Sequence, residues 1–259
     1  MGLGRNIRLK KEYGQNFLRD RTITSAVVDA VALSDANVLE IGPGDGFLTR
    51  HILEHPVRQI KAFEIDHEWV AQLRETVSDT RLSVICQNVL DADFTVLQQD
   101  APWVFLSNLP YHVAFPILRK VQQNRDLFCE GVVMVQEEVA QKLTRVRGKG
   151  YGAVSLFFQH YFSWKLLNKV FPESFTPQPK VCSRLLHFKP RVGIVPIVQE
   201  DDFWRFVKAA FHQPRRTLRN NLRQTHYSLE KIEERVLDLR AQQLGMEDLL
   251  SLWSQLRQV

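Results

Sequence analysis

The feature that most constrains the fold is an alternation of short apolar runs and helix-spaced segments over the first two thirds of the chain. A further helix is predicted ahead of the first run, over 23–33. The alternation predicts strands at 38–41, 60–65, 82–87, 104–107 and 132–136, with helices at 47–53, 68–77, 115–123 and 137–143. Such an order is typical of an α/β fold whose mostly parallel sheet is covered by helices on both faces.

The pattern changes after about residue 190. The segment 191–196 resembles a linker, and no strand pattern follows it. Four helical stretches are predicted near 202–212, 215–223, 229–240 and 247–258. We therefore expect two domains, an α/β domain over 1–192 and a small all-α domain over 193–259.

Composition and charge narrow the class of protein. With 44% apolar residues the chain has material for a real core, and no apolar run approaches the ~18 residues of a membrane span. The start lacks a secretory leader, and three separate cysteines argue against a disulfide framework, so we expect a cytoplasmic protein with no membrane and no metal. Positions 1–21 carry net charge +4, 22–179 carry −4 and 180–259 carry +5. Basic ends predict a polyanionic partner, most plausibly nucleic acid, although a solvated surface is the plainer alternative.

A glycine turn follows the first strand, with the sequence EIGPGDG over 40–46. Glycines there allow a ligand close to the backbone, and Glu64, at the end of the next strand, lies where an acid accepts hydrogen bonds from a ribose. The turn therefore predicts a nucleoside-containing cofactor. Its spacing, GxGxG with Pro43 inside, favours S-adenosylmethionine over a nicotinamide dinucleotide.

The fourth predicted strand ends in Asn108, Leu109, Pro110 and Tyr111. Because ligands in open α/β sheets bind beyond the carboxyl ends of the strands, this turn should face the cofactor. The Asn108 amide oxygen and the Leu109 carbonyl could accept hydrogen bonds from the amine of an adenine, and Tyr111 offers a flat face for an unstacked base. The plainer alternative is a proline turn with a packed tyrosine.

With these motifs the chain resembles the rRNA adenine N6-dimethyltransferases, most closely the small-subunit branch. The resemblance is carried by six motifs in order: GQNFL at 14–18, EIGPG at 40–44, EID at 64–66, NLPY at 108–111, FTPQPKV at 175–181 and FHQPRRTLRNNL at 211–222. It covers most of the chain, and it implies a Rossmann-like class I methyltransferase domain followed by a helical RNA- or ribosome-binding domain.

The resemblance also implies roles for particular residues. Catalysis would involve Asn108, Leu109, Pro110, Tyr111 and, as a second aromatic wall, Phe175, although the residues alone leave open that Phe175 is a buried anchor. The implied contacts to S-adenosylmethionine are Gln15, Asn16, Leu18, Gly42, Gly44, Glu64, Ile65, Asn88 and Asn108.

The chain departs from the family in three places. Asn88 stands where the family usually has an Asp that reads the adenine of the cofactor; Asp91 could substitute, and we prefer Asn88. Pro214 takes a usually basic position, and His112 follows NLPY in place of the usual Asn. His112 is more readily read as a structural or RNA-contacting residue than as a base.

Basic residues are the candidates for RNA contact. Arginines at 215, 216, 219 and 223 are spaced so that most would share one face of the predicted helix 215–223. The candidate RNA-binding residues are Arg145, Arg147, Lys208, Arg215, Arg216, Arg219 and Arg223.

We therefore expect an enzyme that dimethylates N6 of two adjacent adenosines in a hairpin loop near the 3′ end of small-subunit rRNA. Its partner would be the immature small ribosomal subunit, and we expect a monomer. Three alternatives stay open: a large-subunit adenine methyltransferase of the antibiotic-resistance type, a non-catalytic ribosome-assembly or transcription factor on the same scaffold, and a nicotinamide oxidoreductase.

Overall fold

The structure, a computed structural model, describes residues 7, 10, 14–148 and 150–256. Much of the basic N-terminal segment and positions 257–259 therefore lie outside the described residues. The chain divides into two compact units. The first comprises the chain up to Ala140 together with Ser163–Pro190, and the second comprises Gln141–Phe162 together with the chain from Arg191 onward.

A seven-stranded sheet forms the centre of the first unit. Two further short strands, β1 (Phe17–Leu18) and β8 (Phe175–Thr176), pair antiparallel in a sheet of their own. The large sheet contains β2 (Asn37–Ile41), β3 (Gln59–Glu64), β4 (Leu82–Cys86), β5 (Trp103–Asn108), β6 (Phe128–Gln136), β7 (Phe162–Val170) and β9 (Ser183–Pro190). Its order is β4-β3-β2-β5-β6-β9-β7.

The strand order reverses between β2 and β5. Strands β2 to β6 are parallel to their neighbours, with Ile41 opposite Phe63 and Glu40 opposite Leu106, whereas β9 runs antiparallel to β6. The hydroxyl of Ser107 ties the two central strands by donating to the Ile41 carbonyl at 2.6 Å. A reversal of this kind opens a crevice at the carboxyl ends of the strands.

Helices cover the sheet because their apolar stripes pack on it. They are α1 (Arg21–Val28), α2 (Phe47–Leu53), α3 (His67–Thr76), α4 (Ala114–Gln123) and α5 (Glu137–Thr144), with 3₁₀ turns at Phe94–Asp100, Tyr111–Val113, Arg125–Leu127 and Pro172–Ser174. Asp20 and Asp66 start α1 and α3 by accepting hydrogen bonds from first-turn backbone N–H groups. One face of the sheet buries a cluster that includes Val38, Ile60 and Leu106.

The second unit is helical. It contains α6 (Ala153–Tyr161), α7 (Glu200–Ala210), α8 (Leu218–Leu222), α9 (Glu234–Leu237), a 3₁₀ turn at Ala241–Gln243 and α10 (Met246–Leu256). Its core brings Leu156 of α6 together with Phe203 and Phe206 of α7 and Trp253 of α10.

The expected α/β class with a mostly parallel sheet and a helical C-terminal part is confirmed. The predicted strands and helices of the parallel part are present with ends shifted by a few residues. The division of the chain differs from the expected boundary at 192/193, since Gln141–Phe162 groups with the second unit. The reason is packing: Phe157 of α6 lies 4.9 Å, between ring centroids, from Trp204 of α7.

Two expectations for the helical part were wrong. The predicted helix 215–223 is only Leu218–Leu222, because Thr217 caps it by accepting from the Asn220 N–H, so Arg215 and Arg216 lie in the preceding turn. Most of 229–240 is turns, with a four-residue helix. Across the described residues, none of the helices has the length and apolar character that a bilayer crossing requires.

Candidate active site

A cleft lies at the carboxyl ends of β2 to β5, where the strand order reverses. Its empty volume is about 1220 Å³, counting its open mouth. Five segments line most of it: 14–18, 40–45, 63–65, 87–90 and 108–113. The four motifs in the first part of the chain that suggested a cofactor and a target base therefore share one site.

The glycine turn forms the floor of this cleft. Gly42 and Gly44 have φ of +69° and +55°, a region that residues with a Cβ rarely adopt. A Cβ on Gly44 would also lie 2.6 Å from the Phe17 ring, so the GQNFL segment packs directly on the turn. The N–H groups of Gly42 and Gly44 donate to the Phe63 carbonyl and to Glu64, so the absence of side chains at these positions gives a ligand room close to the backbone and does not leave free N–H groups.

Glu64 is held at the end of β3 by two backbone N–H groups. Gly44 N donates to Oε2 and Asp66 N donates to Oε1, both at 3.0 Å. Burial raises the pKa of Glu64, and these two hydrogen bonds oppose that rise. A carboxylate has about four acceptor positions, so Glu64 keeps acceptor capacity for a ribose hydroxyl.

Asp66 connects this acid to the N-terminal segment. Its carboxylate accepts from Lys10 Nζ at 2.7 Å, from Gln15 Nε2 at 3.1 Å and from the Glu68 N–H. Burial acts to raise the pKa of Asp66, but these hydrogen bonds outweigh it and hold the pKa below its usual value. The Gln15 amide nitrogen is thus occupied by its hydrogen bond to Asp66, and Gln15 supports the cleft by holding that carboxylate.

The adenine end of the expected cofactor site combines polar and apolar groups. Asn88 lines the cleft, whereas Asp91 is exposed and lies outside its lining. The Asn88 amide donates to Asp91 Oδ2 at 2.9 Å, and its oxygen accepts from Leu90 N, which leaves one acceptor position on Oδ1. Ile65 is 45% exposed and offers an apolar face at the same end.

The NLPY turn closes the other end of the cleft. Asn108 Nδ2 donates to the Asn16 carbonyl at 3.1 Å, so its Oδ1 is the group left to accept from a ligand. Leu109 N donates to the Met134 carbonyl at 3.1 Å, which fixes the backbone where the Leu109 carbonyl is presented. Asn16 therefore supports Asn108 through its backbone as well as lining the cleft.

Tyr111 lines the cleft with its ring held at the far end. Its hydroxyl and Ser183 Oγ share a hydrogen bond of 2.5 Å, and Ser183 is fully buried. Burial raises the pKa of Tyr111, so the phenol is neutral at physiological pH. The turn accordingly presents two oxygen acceptors and an aromatic face together.

Phe175 does not join this arrangement. The expectation that it forms a second aromatic wall of the cleft is therefore corrected. It is 2% exposed, packs in the core under the sheet and is absent from the cleft lining. Phe175 lies opposite Leu18 in the two-stranded sheet, and both side chains pack in the same buried apolar cluster. Of the two readings that the sequence left open, the buried anchor is the one observed.

Sequence reasoning missed Glu40, the last residue but one of β2. It is 1% exposed, lines the cleft and accepts from Thr49 Oγ1 at 2.7 Å. Burial raises the pKa of Glu40 to about 8. Glu40 is the first residue of the EIGPG motif. Its burial, which the sequence does not show, is what distinguishes it from an ordinary strand residue.

A second missed feature is an ion pair that holds the GQNFL segment on the glycine turn. Arg19 Nη1 lies 2.6 Å from Asp45 Oδ2, and the guanidinium lies 5.4 Å and 6.0 Å from the ring centres of Phe17 and Phe47. Asp45, Phe17 and Phe47 all line the cleft. The pair has long sequence separation, so no local pattern indicates it.

The candidate RNA-binding residues lie in the second unit. Arg147, Lys208, Arg215, Arg216 and Arg223 are exposed and Arg145 is half-buried, whereas Arg219 pairs with Glu234 and lies 3.6 Å from Asp238. Within the described ranges no group of three or more His, Cys, Asp or Glu side chains could hold a metal ion.

Comparison with known proteins adds an independent result. A family model described as "Ribosomal RNA adenine dimethylase" matches residues 6–255. "Ribosomal RNA small subunit methyltransferase A" from Chlorobium phaeobacteroides is 38% identical over 97% of this chain and 92% of its own length. The protein of the same name from Streptococcus pneumoniae is 36% identical over 88% of this chain and 81% of its own length.

Solved structures agree on the fold. A dimethyladenosine transferase from Plasmodium falciparum is similar with a TM-score of 0.79, at 20% identity, over 93% of this chain and 97% of that one. The 23S rRNA methyltransferase ErmE is similar with a TM-score of 0.72, at 24% identity, over 93% of this chain and all of that one. The expected Rossmann-like methyltransferase fold is therefore confirmed.

Proposed function

Because the chain belongs to the ribosomal RNA adenine dimethylase family, we propose that it dimethylates N6 of two adjacent adenosines near the 3′ end of small-subunit rRNA, with S-adenosylmethionine as the methyl donor. The adenosines lie in a hairpin loop, the substrate is the immature small ribosomal subunit, and the enzyme acts as a monomer in the cytoplasm. The observation that carries the proposal is the hydrogen bonding of the Asn108 side-chain amide. Its nitrogen donates to the Asn16 carbonyl, so the Asn108 oxygen is the atom left to accept a hydrogen bond from a ligand in the cleft.

The cleft suits the cofactor on its own chemistry. The Glu64 carboxyl retains acceptor positions for ribose hydroxyls, and Asn88 and Ile65 provide a polar and an apolar contact for adenine. Gly42 and Gly44 place no side chains of their own in the cleft. Asn16 and Leu18 line the cleft beside it, and Gln15 supports Asp66. When bound, S-adenosylmethionine supplies a methyl group activated by its sulfonium.

The NLPY turn suits an adenine amine. The nitrogen of that amine is a poor nucleophile because its lone pair is delocalised into the ring. Asn108 Oδ1 and the Leu109 carbonyl accept its two hydrogens, which localises the lone pair, while Tyr111 stacks on the extruded base. Both acceptors meet the amine more strongly as the nitrogen becomes positive, so they contribute mainly in the transition state. No side chain is needed as a strong base, because the proton can leave after transfer.

The second unit is proposed to hold the RNA. No acidic residue occurs from 206 to 229, where five Lys or Arg occur. The loop that carries Arg145 and Arg147 is anchored next to the end of α7, since the rings of Tyr151 and Phe211 are 5.8 Å apart. Both this loop and the turn that carries Arg215 and Arg216 are proposed to supply phosphate contacts that position the substrate.

Methyl transfer to purified subunits tests the proposal. Small and large subunits that lack the modification are incubated with labelled S-adenosylmethionine, and the modified bases are mapped. We expect dimethylation of two adjacent adenosines in the small subunit. Methylation of the large subunit instead would favour the antibiotic-resistance type of enzyme, and no transfer to either would favour a non-catalytic assembly factor.

The variant Asn108→Ala tests the chemistry. Loss of one preorganised partner typically costs ~10²–10³ in rate, and we expect that loss in kcat while RNA binding is kept. Asn108→Asp retains an acceptor and should be milder. Asn168→Ala, an exposed position on β7, is the matched control. A near wild-type rate for Asn108→Ala would mean that NLPY is only a structural turn.

A further inference from the structure

The Tyr111 ring is fixed by a group outside the cleft. The ring leaves the backbone at the 3₁₀ turn Tyr111–Val113, and its one polar atom, the hydroxyl oxygen, lies 2.5 Å from Ser183 Oγ. Ser183 is the first residue of β9 and lies 72 residues further along the chain. The ring is therefore held at both ends, by the NLPY backbone and by another strand.

The backbone that carries Ser183 is itself held on both sides. Ser183 lies opposite Gln136 in the β6–β9 pairing. The preceding carbonyl, of Cys182, accepts from Glu137 N at 3.0 Å, and the following residue, Arg184, forms an ion pair with Glu137 at 2.8 Å. The hydroxyl of Ser183 thus occupies a defined position relative to the carboxyl end of β6.

Burial makes this hydrogen bond hard to replace. Ser183 has no exposed surface, so bulk water does not reach its hydroxyl. Removal of either partner leaves the other hydroxyl without its hydrogen bond, which destabilises the folded state. A hydroxyl at the far end of a phenol ring also limits rotation about the side-chain bonds, since the ring cannot swing without breaking the bond.

We propose that Ser183 is a positioning residue for the methyl transfer: it holds the Tyr111 ring in the plane on which the target adenine stacks. The inference rests on the proposed function, and it assigns to β9 a part in the site that the parallel strands do not supply. Among the residues that line the cleft, Tyr111 is the aromatic side chain of the NLPY turn itself, next to the Asn108 and Leu109 acceptors, whereas Phe175 is in the core. If the Tyr111 ring could rotate freely, the adenine amine would not be held within hydrogen-bond distance of those acceptors. Displacement of a reacting atom by about 1 Å can lower the rate ~10²-fold.

Three variants test this: Ser183→Ala, Tyr111→Phe, which removes the same hydrogen bond from the other side, and the double variant. We expect each single variant to lower kcat roughly 3- to 30-fold, with KM for the subunit and the Kd for S-adenosylmethionine changed little. The double variant should be no slower than the slower single one, because both remove one bond. Ser183→Thr keeps the hydroxyl and should restore much of kcat.

A spectroscopic readout separates positioning from mere stability. With 2-aminopurine at the target position of an RNA hairpin, a well-held ring quenches the fluorescence by stacking, so the complex of Ser183→Ala should be brighter than that of the wild type. Ser155→Ala, which removes another buried serine in the second unit, is the control for lost stability.

The outcomes are distinguishable. A lower melting temperature with wild-type kcat and fluorescence in both Ser183→Ala and Tyr111→Phe would overturn the positioning role and leave the proposed function intact. Wild-type kcat in Tyr111→Ala would overturn the stacking role of the ring as well. Absence of methyl transfer by the unaltered enzyme would overturn the proposed function itself.

Discussion

Glu40 and Glu64 are two buried carboxyl groups that line the same cleft but are held differently. Glu64 accepts from two backbone N–H groups, whereas Glu40 accepts from one hydroxyl, that of Thr49. Burial, together with the nearby charges of Glu64 and Asp45, raises the pKa of Glu40 to about 8. Glu40 is therefore protonated at neutral pH when no cation lies beside it.

A cationic cofactor should release that proton. A positive charge in the cleft favours the carboxylate form of Glu40, so binding at pH 7 should expel up to about one proton, and affinity should rise with pH until about 8. Calorimetry at pH 7 in two buffers of different ionisation enthalpy measures the number released. Glu40→Gln should abolish the release, and Glu173→Gln, an exposed acid of the same unit, should not. Equal proton release from Glu40→Gln and the wild type would exclude Glu40 as the source.

The same pKa predicts how Glu40 affects stability. The folded state binds this proton more tightly than the unfolded chain, whose value is near 4.5, so stability is fully present below that pH and is lost as pH rises towards 8. Glu40→Gln, which cannot ionise, should show a flatter decline of melting temperature over the same interval.

The central strands of the parallel sheet could be predicted because β2 and β5 are buried along nearly their whole length and contain runs of apolar residues. Strands β7 and β9 were not predicted. Strand β7 lies at the sheet edge and mixes Lys165 and Lys169 with apolar residues, so it lacks that run. The burial of Phe175 likewise goes with its pairing with Leu18, a contact across more than 150 residues that no local pattern contains.

The segment that contains β1 is fastened to the glycine turn by Arg19 and Asp45, and this contact belongs to no motif. The side chain of Arg19 is 29% exposed and that of Asp45 is 16% exposed, so solvent screens this ion pair only in part. Since Phe17 and Leu18 line the cleft, loosening the segment should weaken the cofactor site.

A double-mutant cycle measures that contact. Arg19→Gln and Asp45→Asn should each weaken S-adenosylmethionine binding, and the two should couple by ~0.5–1 kcal/mol because both remove one ion pair. Arg21→Gln is the matched control, since Arg21 is exposed and pairs with Glu54 outside the cleft. Strictly additive effects on the binding free energy would show that Arg19 and Asp45 act separately.

For the molecule as a whole, the sequence predicted two domains and a basic charge at both ends of the chain. The structure changes which segments belong to each domain. Helix α6 groups with the helical unit because its apolar side chains pack against α7, which the linear order of the chain does not indicate. The loop that carries Arg145 and Arg147 therefore belongs to the same unit as Arg215 and Arg216. The cleft residues for which we propose cofactor and target binding, by contrast, all lie in the first unit.

This division predicts that RNA affinity and cofactor affinity can be changed separately. Arg215→Glu with Arg216→Glu should weaken binding to the small subunit and lower the log–log salt slope by about 0.7–0.9 for each phosphate that the arginines no longer neutralise, with the Kd for S-adenosylmethionine unchanged. Arg219→Glu alone should have a smaller effect, because Arg219 already pairs with Glu234 and Asp238.

The control is Arg205→Glu with Arg235→Glu, an equal charge change in the same unit at arginines that pair with Asp202 and Glu233. If the control and the test pair shift the slope equally, net charge and not the turn before α8 governs RNA binding; a slope unaltered in both would place the RNA contacts elsewhere.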